Sequence, residues 1–160
     1  MARTDYYDDP TAPRPNSIVA AASAIVTNAE GHILVHRRTD NDLWALPGGG
    51  MDFGESIADT VIREVYEETG LHVQPRHVIA VYSDPKHVFA YTDGEVRQEF
   101  SVCIACDLVG GTLRISDESR ELKFADPDEV LNLNMHPRIR ARVLDYLNGV
   151  IGGLNPGATR

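Results

Sequence analysis

The sequence predicts an α/β fold, a mixed sheet with helices on both faces, or α/β/α sandwich. Three observations predict it. Residues 96–109 form the longest strand pattern, with Phe100, Val102, Ile104 and Cys106 on one side and Ser101, Cys103 and Ala105 on the other. Neither side is charged, so this strand belongs at the centre of a sheet covered on both faces. Residues 56–69 wind, at about 100° per residue, into a helix whose apolar face is Ile57, Ala58, Val61, Ile62 and Val65. A last helix opens at Pro137, carries Ile139, Val143 and Leu147 on one stripe, and stops at Gly149.

The remaining elements follow in order. Residues 1–16 are acidic, hold three prolines and are expected to form a flexible tail. Residues 17–150 then make a single domain, and residues 151–160 a loose C-terminal tail. Residues 17–27 are small, apolar and β-branched, as in a buried strand. The turn Asn28-Ala-Glu-Gly31 leads to an alternating strand over 32–38, closed by Arg37 and Arg38. After a short polar loop, Trp44-Ala-Leu-Pro-Gly-Gly reads as a short strand entering a glycine-rich loop, residues 47–54. Ser56 with Asp59 makes a capping box for the first helix, and Gly70 sits where a left-handed residue ends it. Residues 72–82 are strand-like, with Pro75 placing their start at an edge. Residues 83–95, punctuated by Asp84-Pro85 and Asp93-Gly94, read as a polar connection long enough to act as a substrate loop. Gly110-Gly111 turns the chain, residues 116–121 are polar and acidic, and 122–125 form a last short strand. Asp126 caps a helical turn with Pro127 at its first position.

Net charge is −9 over 160 residues. That disfavours non-specific binding to nucleic-acid polymers or anionic membranes, which need a basic face. No apolar run approaches the length of a membrane span, and the N-terminus lacks the apolar core of a signal peptide. A cytoplasmic protein is expected. Cys103 and Cys106 lie inside a strand pattern, so core packing is expected of them rather than zinc or redox chemistry.

The first helix carries the chemistry. Glu64 and Glu68 are i and i+4, stacked at one edge of its apolar face, with Glu67 one side chain further round. Like charges at this spacing repel, so a cation is expected between them; hard divalent ions take oxygen ligands, and Mg²⁺ commonly pairs carboxylates with substrate phosphates.

Residues 49–71 resemble the Nudix box, G-x5-E-x7-R-E-U-x-E-E-x-G-U, where U is a bulky aliphatic. Gly49, Glu55, Arg63, Glu64, Val65, Glu67, Glu68, Gly70 and Leu71 fill every constrained position. The resemblance implies the α/β/α sandwich reached above and a metal-dependent pyrophosphohydrolase, in which water attacks one phosphorus of a nucleoside diphosphate linked to another group. It implies Mg²⁺, with Mn²⁺ able to substitute, held by Glu64, Glu67, Glu68 and the carbonyl of Gly48. Arg63 then orients the glutamates, and Glu55 anchors the loop to the helix. The general base is either Glu64 or a later carboxylate, for which Glu118 and Glu121 are the candidates. Arg38 aligns with an arginine that contacts substrate phosphates. Trp44 is a candidate for base stacking as well as for packing, and His87 and Tyr91 are substrate-loop candidates. The substrate is expected to be a small nucleotide. Pro85 resembles a proline of ADP-ribose pyrophosphatases, but only about 16 residues precede the first strand, so nucleoside triphosphates rank slightly ahead of ADP-ribose. A homodimer is common in the family. The competing reading is a catalytically silent, nucleotide-binding regulatory module; such modules usually lose box glutamates, which this chain keeps.

Overall fold

The computed structural model describes residues 3–156. In chain order the elements are β1 (Arg3–Tyr7), β2 (Ser17–Ile18), β3 (Ala21–Thr27), β4 (Ile33–Arg38), β5 (Trp44–Ala45), β6 (Gly48–Gly50), α1 (Ile57–Thr69), β7 (Leu71–Tyr82), β8 (His87–Tyr91), β9 (Val96–Gln98), β10 (Ser101–Gly111), β11 (Ser119–Ala125), α2 (Pro127–Asn132), α3 (Pro137–Leu147) and β12 (Gly153–Leu154).

The main sheet runs β11-β4-β3-β10-β7-β12. Strand β10, uncharged from Ser101 to Cys106, sits inside it, parallel to β3 and antiparallel to β7. Its two faces enter two cores. Cys103 and Ala105 pack with Ile25, Val130 of α2 and Val143 of α3. Ile104 and Cys106 pack with Ala24, Val26 and with Val61 and Val65 of α1. Helices therefore cover both faces, giving the α/β/α arrangement. Both cysteines are buried and unpaired, and burial pushes the Cys106 thiol up to about 12. Pro75 lies near the start of β7, where β12 pairs only with Ala80 and Val81 and leaves an edge that needs no N–H. Among the described residues, no helix is long and apolar enough to cross a membrane.

Beyond the division of residues 96–109 into β9 and β10 on different sheets, with Phe100 exposed between them, the structure differs from the sequence reading in four places. First, Arg3–Tyr7 is not a loose tail: it pairs antiparallel with β8, from Arg3 opposite Tyr91 to Tyr7 opposite His87. This covers what would be a bare strand edge. Second, residues 83–95 are not an open loop. The turns at Asp84-Pro85 and Asp93-Gly94 flank β8, and a second sheet runs β1-β8-β9-β2. Residues 17–27 accordingly divide: Ser17 and Ile18 pair with β9, while β3 joins the main sheet. Third, Gly153–Leu154 pairs with β7, so the expected loose segment over 151–160 begins with a strand; residues 157–160 lie outside those described. Fourth, both helices are rotated from their expected faces. Ile62 is exposed while Thr60 and Glu68 are buried on α1, and Arg138 and Arg142 join Val143 on the buried side of α3.

Candidate active site

Strands β3 and β4 pair in register only at Thr27 and Ile33. Residues 44–50 occupy the opening beyond, β5 against β4 and β6 against β3. The glycine loop is thereby laid across the end of α1. That helix starts where the sequence placed it: the Ser56 hydroxyl accepts from the Asp59 N–H, and the Asp59 carboxylate accepts from the Ser56 N–H at 2.8 Å. Gly70 ends it with φ 76, a left-handed conformation that glycine adopts without strain. Gly49 is needed for closeness rather than for φ, because a Cβ there would lie 2.5 Å from Glu64 Oε1.

Arg63 ties the loop to the helix. Its Nε donates to Glu55 Oε1 at 2.8 Å, and its Nη1 donates to Glu64 Oε1 at 2.8 Å and Glu67 Oε2 at 3.2 Å. Its Nη2 donates to the Gly50 carbonyl at 2.9 Å. Glu68 is held from the other side, its Oε2 accepting from the Gly48 N–H at 3.1 Å. Burial pushes the Glu68 carboxyl up to about 9, with Glu64 and Glu118 adding to it against that N–H. Burial also raises Glu64, against the pull of Arg63 and with help from Glu67 and Glu118. His36 lies beneath, its Nδ1 2.8 Å from Ser119 Oγ and its Nε2 4.0 Å from Glu68 Oε2. Burial and Arg38 lower His36 to about 4, so it is neutral and does not offset the Glu68 charge. The buried Glu68 and the partly buried Glu64 thus converge, with Arg63 held on Glu64 alone of the two. This donor set suits a hard divalent cation.

Glu64 and Glu68 open into a cavity of about 640 Å³. Glu118 lines it as well, whereas Glu121 does not, its carboxylate lying 3.7 Å from Arg37 and half exposed. Arg38 lines the cavity while its Nε and Nη2 donate to Asp40 at 2.8 and 2.6 Å. Trp44 belongs to the core, meets the cavity as part of its wall and is covered by Lys123 at 4.7 Å. Glu67 stays on the outer side of α1, more than half exposed. His87 and Tyr91 line the cavity from β8, as strand residues and not from a loop.

The far end of the cavity holds groups the sequence reading missed. Arg3 and Asp5 come from β1, Phe89 from β8, Arg97 from β9, and His136 from the cap of α3. Behind them Glu99 is 2% exposed, accepts from Arg142 Nη2 at 2.8 Å, and has Arg138 Nη2 at 3.8 Å. Burial pushes the Glu99 carboxyl up, but His87 and the two guanidinium groups prevail and hold it below the usual carboxylate range. Signals for these residues were present. His87, Phe89 and Tyr91 alternate with period two, and Arg138 and Arg142 share a helix face. Each was masked by a stronger neighbour, the flanking turn residues in one case and the Ile139/Val143 stripe in the other.

Ligand atoms of Asp5, His87 and His136 lie within 4.8 Å of one another. The His136 Nδ1 lone pair, however, accepts the Arg138 N–H at 3.1 Å. A neutral imidazole has one such lone pair, so Nε2 carries the proton and donates. Burial, with His87 and other neighbours, holds His136 below the ordinary histidine range and so in that neutral form. The trio is thus set up to hydrogen-bond a ligand rather than to hold a cation.

The family model described as NUDIX domain matches residues 18–147. A MutT-like protein of Streptomyces ambofaciens is 35% identical over 87% of this chain and 82% of its own length. An ADP-ribose pyrophosphatase of Methanocaldococcus jannaschii is 30% identical over 78% of this chain and 72% of its own. A protein named putative 8-oxo-dGTP diphosphatase of Bacillus subtilis is 33% identical over 80% of this chain and 79% of its own. Among solved structures, a MutT protein from Methanosarcina mazei Go1 superposes with a TM-score of 0.63 at 25% identity, covering 87% of this chain and 99% of that one.

Proposed function

This chain belongs to the Nudix hydrolase family, and from that premise we propose that it is a divalent-metal-dependent pyrophosphohydrolase of small nucleotides, nucleoside triphosphates ahead of ADP-ribose. The observation that carries this reading is the Glu64–Glu68 pair, converging beside Gly48 at one end of a cavity that also offers aromatic and guanidinium groups. The converging, like-charged donor set fits Mg²⁺ or Mn²⁺, with Glu64, Glu68 and the carbonyl of Gly48 as ligands and Glu67 as the reach to a second ion. Bound there, the metal supplies charge neutralisation of the diphosphate and a more acidic attacking water.

The chain's own residues do the rest. Arg63 holds Glu64 and Glu67 in place, and the Gly48 N–H holds Glu68. Arg38, at the cavity wall, has N–H groups left over from Asp40 for phosphate oxygens. Glu118 is the proposed base: it takes the proton as the water oxygen bonds to phosphorus and the bridging P–O bond breaks. A nucleoside monophosphate leaves from one side and the second phosphoryl product from the other. The far end of the cavity presents one aromatic patch, which suits one base and so favours a triphosphate or ADP-ribose over a dinucleoside polyphosphate. Unpaired Cys103 and Cys106 suit the reducing cytoplasm, our proposed location.

The test is a kcat/KM panel of nucleoside triphosphates, 8-oxo-dGTP, ADP-ribose, dinucleoside polyphosphates and capped RNA, with Mg²⁺ and with Mn²⁺. A triphosphate is expected to lead. Leadership by ADP-ribose changes the ranking only; leadership by capped RNA by more than tenfold rejects the small-nucleotide reading. Absence of metal-stimulated turnover on every compound would favour a silent nucleotide-binding module.

A further inference from the structure

The far end of the cavity is built by the second sheet. Asp5, Phe89 and Arg97 lie in one row across β1, β8 and β9, and Arg3 and Tyr91 in the next. The strand period puts them on the same face. The Arg3 guanidinium lies 4.7 Å over the Phe89 ring and that of Arg97 4.6 Å over the Tyr91 ring. The result is a floor of guanidinium planes layered on aromatic rings, a surface on which a flat heterocycle stacks. His136 stands beside it with its Nε2–H unused, its Nδ1 being committed to Arg138. Asp5 supplies the complementary group. Its side chain is 19% exposed, its Oδ1 lies 3.0 Å from Arg3 Nε as an ion pair without hydrogen-bond geometry, and a carboxylate has further lone pairs with which it can only accept. Behind both, His87 is 4% exposed, with its Nδ1 3.3 Å from Glu99 Oε1. A stacking floor beside an acceptor and a donor matches the edge of an amino-bearing nucleobase.

We propose that this chamber is a nucleobase subsite in which Asp5 accepts a hydrogen bond from an exocyclic amino group, so that nucleotides of adenine, guanine or cytosine bind ahead of counterparts that lack that amino group. The proposal deepens the nucleotide-hydrolase reading and rests on it. A carboxylate facing a ring carbonyl sets lone pair against lone pair, whereas an amino group offers it two hydrogens. The N-terminal strand is then the specificity element, because it carries Asp5 and Arg3 to the floor.

The test uses binding of products, which needs no turnover. Dissociation constants of the full chain are measured calorimetrically for three pairs that differ by an amino group: GMP and IMP, AMP and IMP, CMP and UMP. The amino member is expected to bind tenfold or more tighter in at least one pair, and Asp5→Asn to erase that ratio. Phe89→Ala is expected to weaken all five compounds by fivefold or more, as loss of stacking requires. A ratio below tenfold in every pair overturns the proposal; so does a ratio that survives Asp5→Asn, or no binding of any monophosphate. The wild-type ratios need no variant to fold. Should metal-stimulated hydrolysis persist while the ratios vanish, the base subsite fails and the hydrolase stands.

Discussion

Glu68 shows how one residue joins stability to activity. Its carboxyl is buried, and burial raises its pKa in the folded chain to about 9 from the ordinary 4.5. A carboxyl raised by folding stabilises the fold fully below its unfolded value and loses that contribution as pH climbs through the folded one. Wild-type protein stripped of metal by chelator should therefore lose stability between these two values. Glu68→Gln keeps the acceptor for the Gly48 N–H and carries no charge. In chelator at pH 8 it should melt several degrees above wild type, with the gap closing near pH 4.5; identical melting curves at pH 8 contradict the assignment. With Mg²⁺ the same variant should lose about 2–3 orders of magnitude in kcat/KM, as expected for removal of an anionic ligand. Glu118→Gln and Glu121→Gln separate the two base candidates. Because only Glu118 lines the cavity, its variant should lose at least tenfold in kcat, while the Glu121 variant stays within about twofold.

At the scale of elements, β1 is the segment whose role changed most between sequence and structure. It pairs along its whole length with β8 and supplies Tyr7, whose ring lies 5.5 Å from the Arg138 guanidinium. Deleting residues 1–7 exposes the β8 edge and uncovers His87 and Phe89. A loss of several degrees in melting temperature is expected, measured by differential scanning calorimetry, together with a raised KM. An unchanged melting curve would mean that β1 contributes nothing to the fold. The cysteines of β10 are a contrast. Both thiols are buried on opposite faces, so the double change Cys103→Ala with Cys106→Ala should keep turnover and cost about 1–2 kcal/mol in denaturant unfolding through lost packing.

For the whole molecule, charge is the term that counts. Net charge of −9 sets a long-range repulsion against polyanions, while the local arginines of the cavity act at contact range. A triphosphorylated RNA of about 20 nucleotides should therefore have a kcat/KM at least tenfold below that of the best nucleoside triphosphate. The gap should narrow as salt rises, since screening weakens repulsion of the chain more than contacts in the cavity. Equal rates at low salt would show that the RNA body meets a favourable surface.

The sequence by itself determined what depends on local geometry. The Ser56 cap, the left-handed Gly70, the Glu64/Glu68 spacing and the two-sided β10 all follow from helix and strand periods acting over a few residues. The main sheet, both covering helices and the position of the glutamates were legible for that reason. Only the tertiary structure decided the far end of the cavity. Asp5 and His136 are separated by long stretches of chain from Phe89 and Arg97, and each is polar or aromatic in a way that local pattern assigns to solvent or to packing. What brings Asp5 to Phe89 and Arg97 is strand pairing in the second sheet, and pairing is a long-range choice that burial and edge satisfaction make across the whole fold; His136 arrives from the cap of α3. The same holds for Arg138 and Arg142. An i, i+4 arginine pair reads as a solvated helix face until a buried Glu99, in the link between β9 and β10, turns it inward.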